Sequence, residues 1–133
     1  MIYCWKNLKN GLLFKDLDKT QKGKFFEDRA VKYLESIGYK VLLRNYRSKY
    51  GEIDIIAETD NVIVFVEVKG RFTENFGSGE ESVTKKKIDK IVKTALQFIE
   101  ENNLQKKDFR FDVVAFKGNQ IFHLENAFSL EWF

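Results

Sequence analysis

The chain has no proline, one cysteine and one histidine among its 133 residues. A single cysteine, Cys4, excludes an intrachain disulfide and a cysteine-built metal cluster, and it points to a reducing compartment. A single histidine, His123, has no second imidazole to share a metal, so a structural role in its strand is expected. Membrane-length apolar runs are also missing. The opening stretch MIYCWKNLKNGLLFKDLDK scatters lysines through its apolar residues and has neither the core of a signal peptide nor a membrane span. A cytoplasmic protein without membrane association is therefore expected. No internal repeat, low-complexity tract or linker divides the chain, so residues 20–133 read as one domain. Residues 1–19 read as an N-terminal appendage, in which Trp5, Leu8 and Leu12 have the spacing of a short amphipathic helix.

What is present is ample core material, 44% hydrophobic and 15% aromatic residues. The formal net charge of +3 is small, but its distribution is uneven. Residues 1–50 carry twelve Lys/Arg against five Asp/Glu, residues 51–81 two against eight, and residues 82–133 nine against seven. An acidic middle between basic flanks suits a polyanion held by the flanks while its phosphate meets a metal in the middle. Solvated charged faces that merely cluster are the alternative.

Apolar periodicity predicts a helix from about Thr20 to Ile37, stopped by Gly38. YKVLLRNYR, GEIDIIAET and VIVFVEVKGR read as three strands. A glycine-containing loop, FTENFGSGEE, follows, and then a second helix that Ser82 can cap, with Ile88, Ile91, Val92, Ala95, Leu96 and Ile99 as its apolar stripe. FRFDVVAF and IFHL read as two more strands joined by KGNQ. The order α-β-β-β-α-β-β makes the step from the third strand to the fourth a parallel crossover.

Two strands concentrate charge. Asp60 and Asn61 leave room for a two-residue hairpin, whose register would set Asp54 opposite Glu67 and Glu52 opposite Lys69. Ile53, Ile55, Ala57, Val62, Val64, Val66 and Val68 would form the reverse, fully apolar face. Opposed like charges repel by about 0.2–1 kcal/mol, so Asp54 and Glu67 need a cation. Lys69 alone would make an ordinary surface salt-bridge ladder. The alternative is a hard divalent ion such as Mg²⁺, which needs only one or two carboxylates plus a substrate phosphate.

GEIDIIA followed by VFVEVKGR resembles the short signature of the PD-(D/E)XK nuclease superfamily, an Asp on one strand and Glu-x-Lys on the next. Together with RNYRSKYGEIDIIA, FGSGEESVTKKK, FRFDVVAF and HLENAF, the chain from about residue 22 to 128 resembles the YraN-like family of small bacterial proteins, itself similar to Holliday-junction resolvases. The resemblance implies an α/β, restriction-endonuclease-like core with a mixed sheet flanked by helices. It implies Asp54, Glu67 and Lys69 as the metal-binding and catalytic set, Glu27 as an additional acid and metal ligand, and Lys87 as the lysine of the following helix. Phe26 and Ile88 depart from the pattern, standing where the family often has glycine and glutamine.

Arg44, Arg47, Lys85, Lys86 and Lys87 are the candidates for phosphate contact, with solvated faces as the competing reading. Asp112 shares a strand face with Arg110, which suggests a structural ion pair. The expectation is a Mg²⁺- or Mn²⁺-dependent endonuclease acting on DNA, branched DNA included. A two-fold junction would suit a homodimer, with residues 1–19 a candidate contact. A nucleic-acid-binding module of the same fold with little or no activity, and a protein-interaction scaffold, stand as alternatives.

Overall fold

The computed structural model describes residues 17–71 and 84–128. Helix α1 (Lys19–Ser36) starts at a capping box: the Asp18 carboxylate accepts the Gln21 N–H at 2.8 Å, and the Gln21 side chain accepts the Asp18 N–H at 2.9 Å. It stops at Gly38, whose φ of +95° lets the Tyr39 N–H reach back to the Leu34 carbonyl at 2.9 Å. Then come β1 (Lys40–Arg47), β2 (Glu52–Thr59), β3 (Val62–Lys69), α2 (Lys85–Glu101), β4 (Asp108–Lys117) and β5 (Gln120–Phe128), the expected order. The cap of α2 is Thr84, whose hydroxyl accepts the Lys87 N–H at 3.2 Å. Ser82, expected there, lies outside the described residues, as do the appendage helix and the glycine-containing loop.

The strands form one sheet in the order β1-β2-β3-β4-β5. Every neighbouring pair is antiparallel except β3 and β4, which α2 connects in parallel. Asp60 and Asn61, with φ of 48° and 65°, make the two-residue turn between β2 and β3. Both conformations are left-handed, as this hairpin requires and as Asp and Asn tolerate. Pairing runs from Thr59↔Val62 to Ile55↔Val66, the predicted register.

Both sheet faces are covered. Phe26, Ala30 and Leu34 of α1 pack with Ile55, Ala57, Val64, Val66, Val114 and Phe116. On the other side, Ile88, Ile91, Val92, Ala95, Phe98 and Ile99 of α2 pack with Ile56, Ile63, Phe65, Phe111 and Val113. Two expectations are corrected. Leu96 is exposed, and Phe98 fills the apolar stripe in its place. Ile53 joins the α2-side core with Ile56, not the α1-side face of Ile55, so strict alternation fails in β2 just where its pairing with β3 ends.

Beyond Ile55↔Val66 the two strands part. β2 stays on β1 as far as Arg47↔Glu52, while β3 stays on β4 as far as Lys69↔Ala115. The ladder positions expected to set Asp54 against Glu67 and Glu52 against Lys69 therefore never form. The sheet splits at its centre, and every group at the split belongs to the charged end of the hairpin.

Phe26, one of the departures from the family pattern, is built into the base of this end. A Cβ placed on Gly70 would lie 2.7 Å from the Phe26 ring, so the chain leaving Lys69 passes directly over that ring. Gly70→Ala is expected to destabilise the fold by about 1–3 kcal/mol through overpacking. Phe26→Ala combined with Gly70→Ala should cost less than the sum of the single changes, because the second methyl then meets a vacated space. Urea denaturation of the four proteins measures this, and strict additivity would contradict the contact.

Candidate active site

Asp54 and Glu67 flank the split. Glu67 is buried, with 8% of its surface exposed, and Asp54 is half-buried. Where the ladder fails, the Asp54 carboxylate substitutes for a backbone partner: its Oδ2 accepts the Val68 N–H at 2.8 Å. This bond anchors Asp54 to the strand that carries Glu67. The N-terminal end of α2 closes the site from the α2 side, leaving a recess of about 540 Å³ whose walls include Gly51, Asp54, Glu67, Thr84 and Lys87.

Lys87 is placed there by helix geometry. Ile88 and Ile91 point into the core, which turns the preceding residue toward the split. Its Nζ lies 2.9 Å from Glu67 Oε1. The expected surface ladder with Lys69 is thus replaced by a pair in which the helix lysine, not the strand lysine, meets Glu67.

Burial, then the neighbouring Glu67 charge, pushes the Asp54 pKa up to about 7, against the opposing pull of the Val68 N–H. Glu27 and Lys87 act on Asp54 more weakly and in opposite directions. Lys69 is lowered from its ordinary value, first by burial and then by the hydrogen bond and charge of Lys87. Burial would lower Lys87 too, but Glu67 more than offsets it and holds Lys87 above the ordinary lysine value. The protein alone therefore leaves Asp54 short of positive charge while two lysines crowd each other beside it.

The other predicted residues divide. Glu27 lies near enough for its charge to raise Asp54, but its Oε1 is engaged by Arg44 Nε at 2.8 Å and Asn45 Nδ2 at 2.9 Å. Among the described residues no three His, Cys, Asp or Glu side chains gather into one cluster. Arg44, a candidate for phosphate contact, joins α1 to β1 through Glu27 and Asp28. Arg47 is largely exposed and 3.4 Å from Glu52. Lys85 is exposed at the start of α2, and Lys86 lines the recess.

Lys90, not among the candidates named from the sequence, also lines the recess. The signal that marks it is its i+3 spacing from Lys87. His123 and Asp112 are structural, as expected. Asp112 is fully buried and accepts His123 Nε2 at 2.7 Å, Arg110 Nε at 3.0 Å and the Asn126 N–H at 3.0 Å. Burial alone would raise the Asp112 pKa, yet these partners together hold it below the ordinary carboxylate value. The Tyr33 hydroxyl, 3.0 Å from His123 Nδ1, completes a tie between β5 and α1.

The model of the uncharacterised protein family UPF0102 matches residues 26–116, a span that contains α2, the strands β1 to β3, all of β4 but its last residue, and every acid and lysine of the recess. The chain belongs to this family, the YraN family. A UPF0102 protein of Sulfurihydrogenibium sp. (strain YO3AOP1) is 93% identical over 115 residues, covering 86% of this chain and all of that one. UPF0102 proteins of Persephonella marina and Clostridioides difficile are 47% and 46% identical, each over 84% of this chain and 96% and 100% of theirs. Among solved structures, that of Pyrococcus furiosus SfsA in complex with Ca²⁺ aligns over 81% of this chain and 64% of its own, at 15% identity and a TM-score of 0.29. That similarity is too low to bear on the site.

The raised Asp54 pKa carries a stability consequence. An acid with a raised folded-state pKa opposes folding once ionised, so the penalty is complete above about pH 7 and absent below the ordinary carboxylate range. Asp54→Asn retains an oxygen acceptor for the Val68 N–H and removes the charge. It is expected to stabilise the metal-free protein at pH 8 by on the order of 1–3 kcal/mol, with the gain gone near pH 4. Equal or lower stability than wild type at pH 8 would contradict a buried, under-compensated Asp54.

Proposed function

We propose that this UPF0102 protein is a metal-dependent endonuclease that hydrolyses phosphodiester bonds in DNA, on a restriction-endonuclease-like core. The observation that carries the reading is the convergence of Asp54, Glu67 and Lys87 in an open recess at the split between β2 and β3, with Lys69 two residues beyond Glu67 on β3 and close enough to feel the charges of all three. Structural ion pairs ordinarily match each acid with a base. Here Glu67 is paired with Lys87 while Asp54 is held up near pH 7, a charge deficit that a cation relieves.

The donor set fits a hard divalent ion: Asp54 and Glu67 side by side, with Glu52 as a third carboxylate on the recess wall, no sulfur or imidazole among the described lining residues, and space left for a phosphate. Asp54 and Glu67 would hold Mg²⁺ or Mn²⁺, which when bound supplies Lewis-acid polarisation of a phosphoryl oxygen and a more acidic water. Lys69, at the end of β3, orients the attacking water and meets charge developing on the phosphate. Burial and the neighbouring Lys87 lower its pKa, which eases release of a proton from its ammonium group. Lys87 neutralises Glu67 in the resting protein and, one helical turn from Lys90, presents a second ammonium to the incoming phosphate. Glu27 adds negative potential from the α1 side and fixes Arg44. Arg47, Lys85 and Lys86 supply phosphate contacts that position the strand without reading sequence.

One observation favours a second reading, a nucleic-acid-binding module of little or no activity: the Lys87–Glu67 pair already satisfies one of the two acids without a metal. Cleavage of labelled duplex, single-stranded, flapped and four-way-junction DNA with Mg²⁺ or Mn²⁺ separates the two. The enzyme predicts metal-dependent cutting that Asp54→Ala abolishes and Lys69→Ala slows by about 10²- to 10³-fold. Tight binding with no cutting of any substrate would leave the binding module as the better account.

A further inference from the structure

The turn between β1 and β2 is tied down by polar contacts. Ser48 Oγ accepts the N–H groups of Tyr50 and Gly51 at 3.0 and 3.3 Å, the Ser48 N–H donates to the Gly51 carbonyl at 2.8 Å, and the Ser48 hydroxyl lies 2.8 Å from Thr94 Oγ1 on α2. Thr94 is itself fully buried, so the turn is locked to the helix that walls the recess. The one large side chain on this turn, Tyr50, belongs to neither apolar core and is 39% exposed. A single exposed ring is ordinary. The surroundings of this one are not: Lys49 Nζ is 5.2 Å and Lys93 Nζ 5.7 Å from its centroid, with Lys93 also 3.0 Å from Asp89. The next residues along the chain, Gly51 and Glu52, line the same recess as Asp54 and Glu67, and Lys90, one turn before Lys93, lines it from α2.

An exposed aromatic face on a tied-down turn, bracketed by ammonium groups beside the recess, is an arrangement that takes a base on the ring and the flanking phosphates on the lysines. We propose that Tyr50 is a stacking platform for an unpaired nucleobase, with Lys49 and Lys93 holding the adjoining phosphates, so that single-stranded nucleic acid is gripped beside the recess. The inference rests on the nucleic-acid reading of the site and names the ligand class that the reading leaves open. A stacked base is a stronger partner for an exposed ring than an ammonium is, so the base displaces a lysine from the ring and releases it to a phosphate. A base inside a duplex offers no free face, which restricts this contact to single strands, flaps and frayed ends.

The test is fluorescence anisotropy in EDTA, where no hydrolysis interferes, with labelled oligothymidylate, oligouridylate and a blunt duplex. Wild type, Tyr50→Ala, Tyr50→Phe and Lys93→Ala are compared. Tyr50→Ala is expected to weaken single-strand binding by about 5- to 150-fold and to leave the duplex unchanged. Tyr50→Phe should bind as wild type, because the ring and not the hydroxyl makes the contact. Lys93→Ala should flatten the salt dependence of single-strand binding. A preference between the two oligomers would identify DNA or RNA as the source of the base. Wild-type single-strand affinity in Tyr50→Ala, an equal loss on duplex, equal damage from Tyr50→Phe, or no single-strand binding by the wild type would each overturn the proposal. Because no step of the measurement needs cleavage, loss of the stacking site and loss of the hydrolytic reading are read separately.

Discussion

The bond from the Val68 N–H to the Asp54 carboxylate does two things at once. It satisfies a strand donor at the point where the β2–β3 ladder has ended, and it fixes a carboxylate beside Glu67 in a partly buried place where a second negative charge is unwelcome. Without the split, Asp54 and Glu67 would be ladder partners on a continuous sheet. With it, the two acids line an opening, and α2, docked through Ile88, Ile91 and Val92, brings Lys87 across that opening. The core thus positions the chemistry: two apolar layers hold the strands rigidly until Ile55 and Val66, and the charged end begins where that constraint lapses.

The electrostatics follow from the same geometry. Burial and mutual repulsion act on Asp54, burial and Lys87 act on Lys69, and Glu67 is the hub that Lys87 neutralises. A purely structural network offers a contrast within the same molecule. Asp112 is buried more completely, yet His123, Arg110 and the Asn126 N–H hold its pKa below the ordinary value. The difference between the two aspartates is the number of donors each receives. Asp112 is satisfied by its own fold, and Asp54 is left with one backbone N–H and a deficit.

Much of this was legible from residues alone. The period-two pattern of VIVFVEVK and the Asp60-Asn61 turn set the hairpin register, and the apolar stripe of α2 announced a helix on the sheet. The split was not legible, because a register argument assumes that pairing continues, whereas beyond Ile55 and Val66 β2 stays paired with β1 alone and β3 with β4 alone. Ile53 was misplaced for the same reason, and Leu96 because helical spacing alone cannot choose between it and Phe98 at the edge of the stripe. Glu27 was named through the family resemblance and Arg44 as a candidate for phosphate contact, but their mutual pairing depends on the contact of α1 with β1 and has no local signature. Membership of the family was visible in RNYRSKYGEIDIIA, VFVEVKGR, FGSGEESVTKKK, FRFDVVAF and HLENAF together, and the family model covers all of these but the last.

The central claim is that Asp54 and Glu67 form a carboxylate pair waiting for a hard cation. Titration calorimetry of Mn²⁺ into the metal-free protein at neutral pH addresses it without reference to any substrate. The account predicts binding by the wild type that is lost in both Asp54→Asn and Glu67→Gln, with the fold of each variant intact. Wild-type Mn²⁺ binding that persists in both variants, or a wild type that takes up no Mn²⁺ at millimolar concentration, would contradict it.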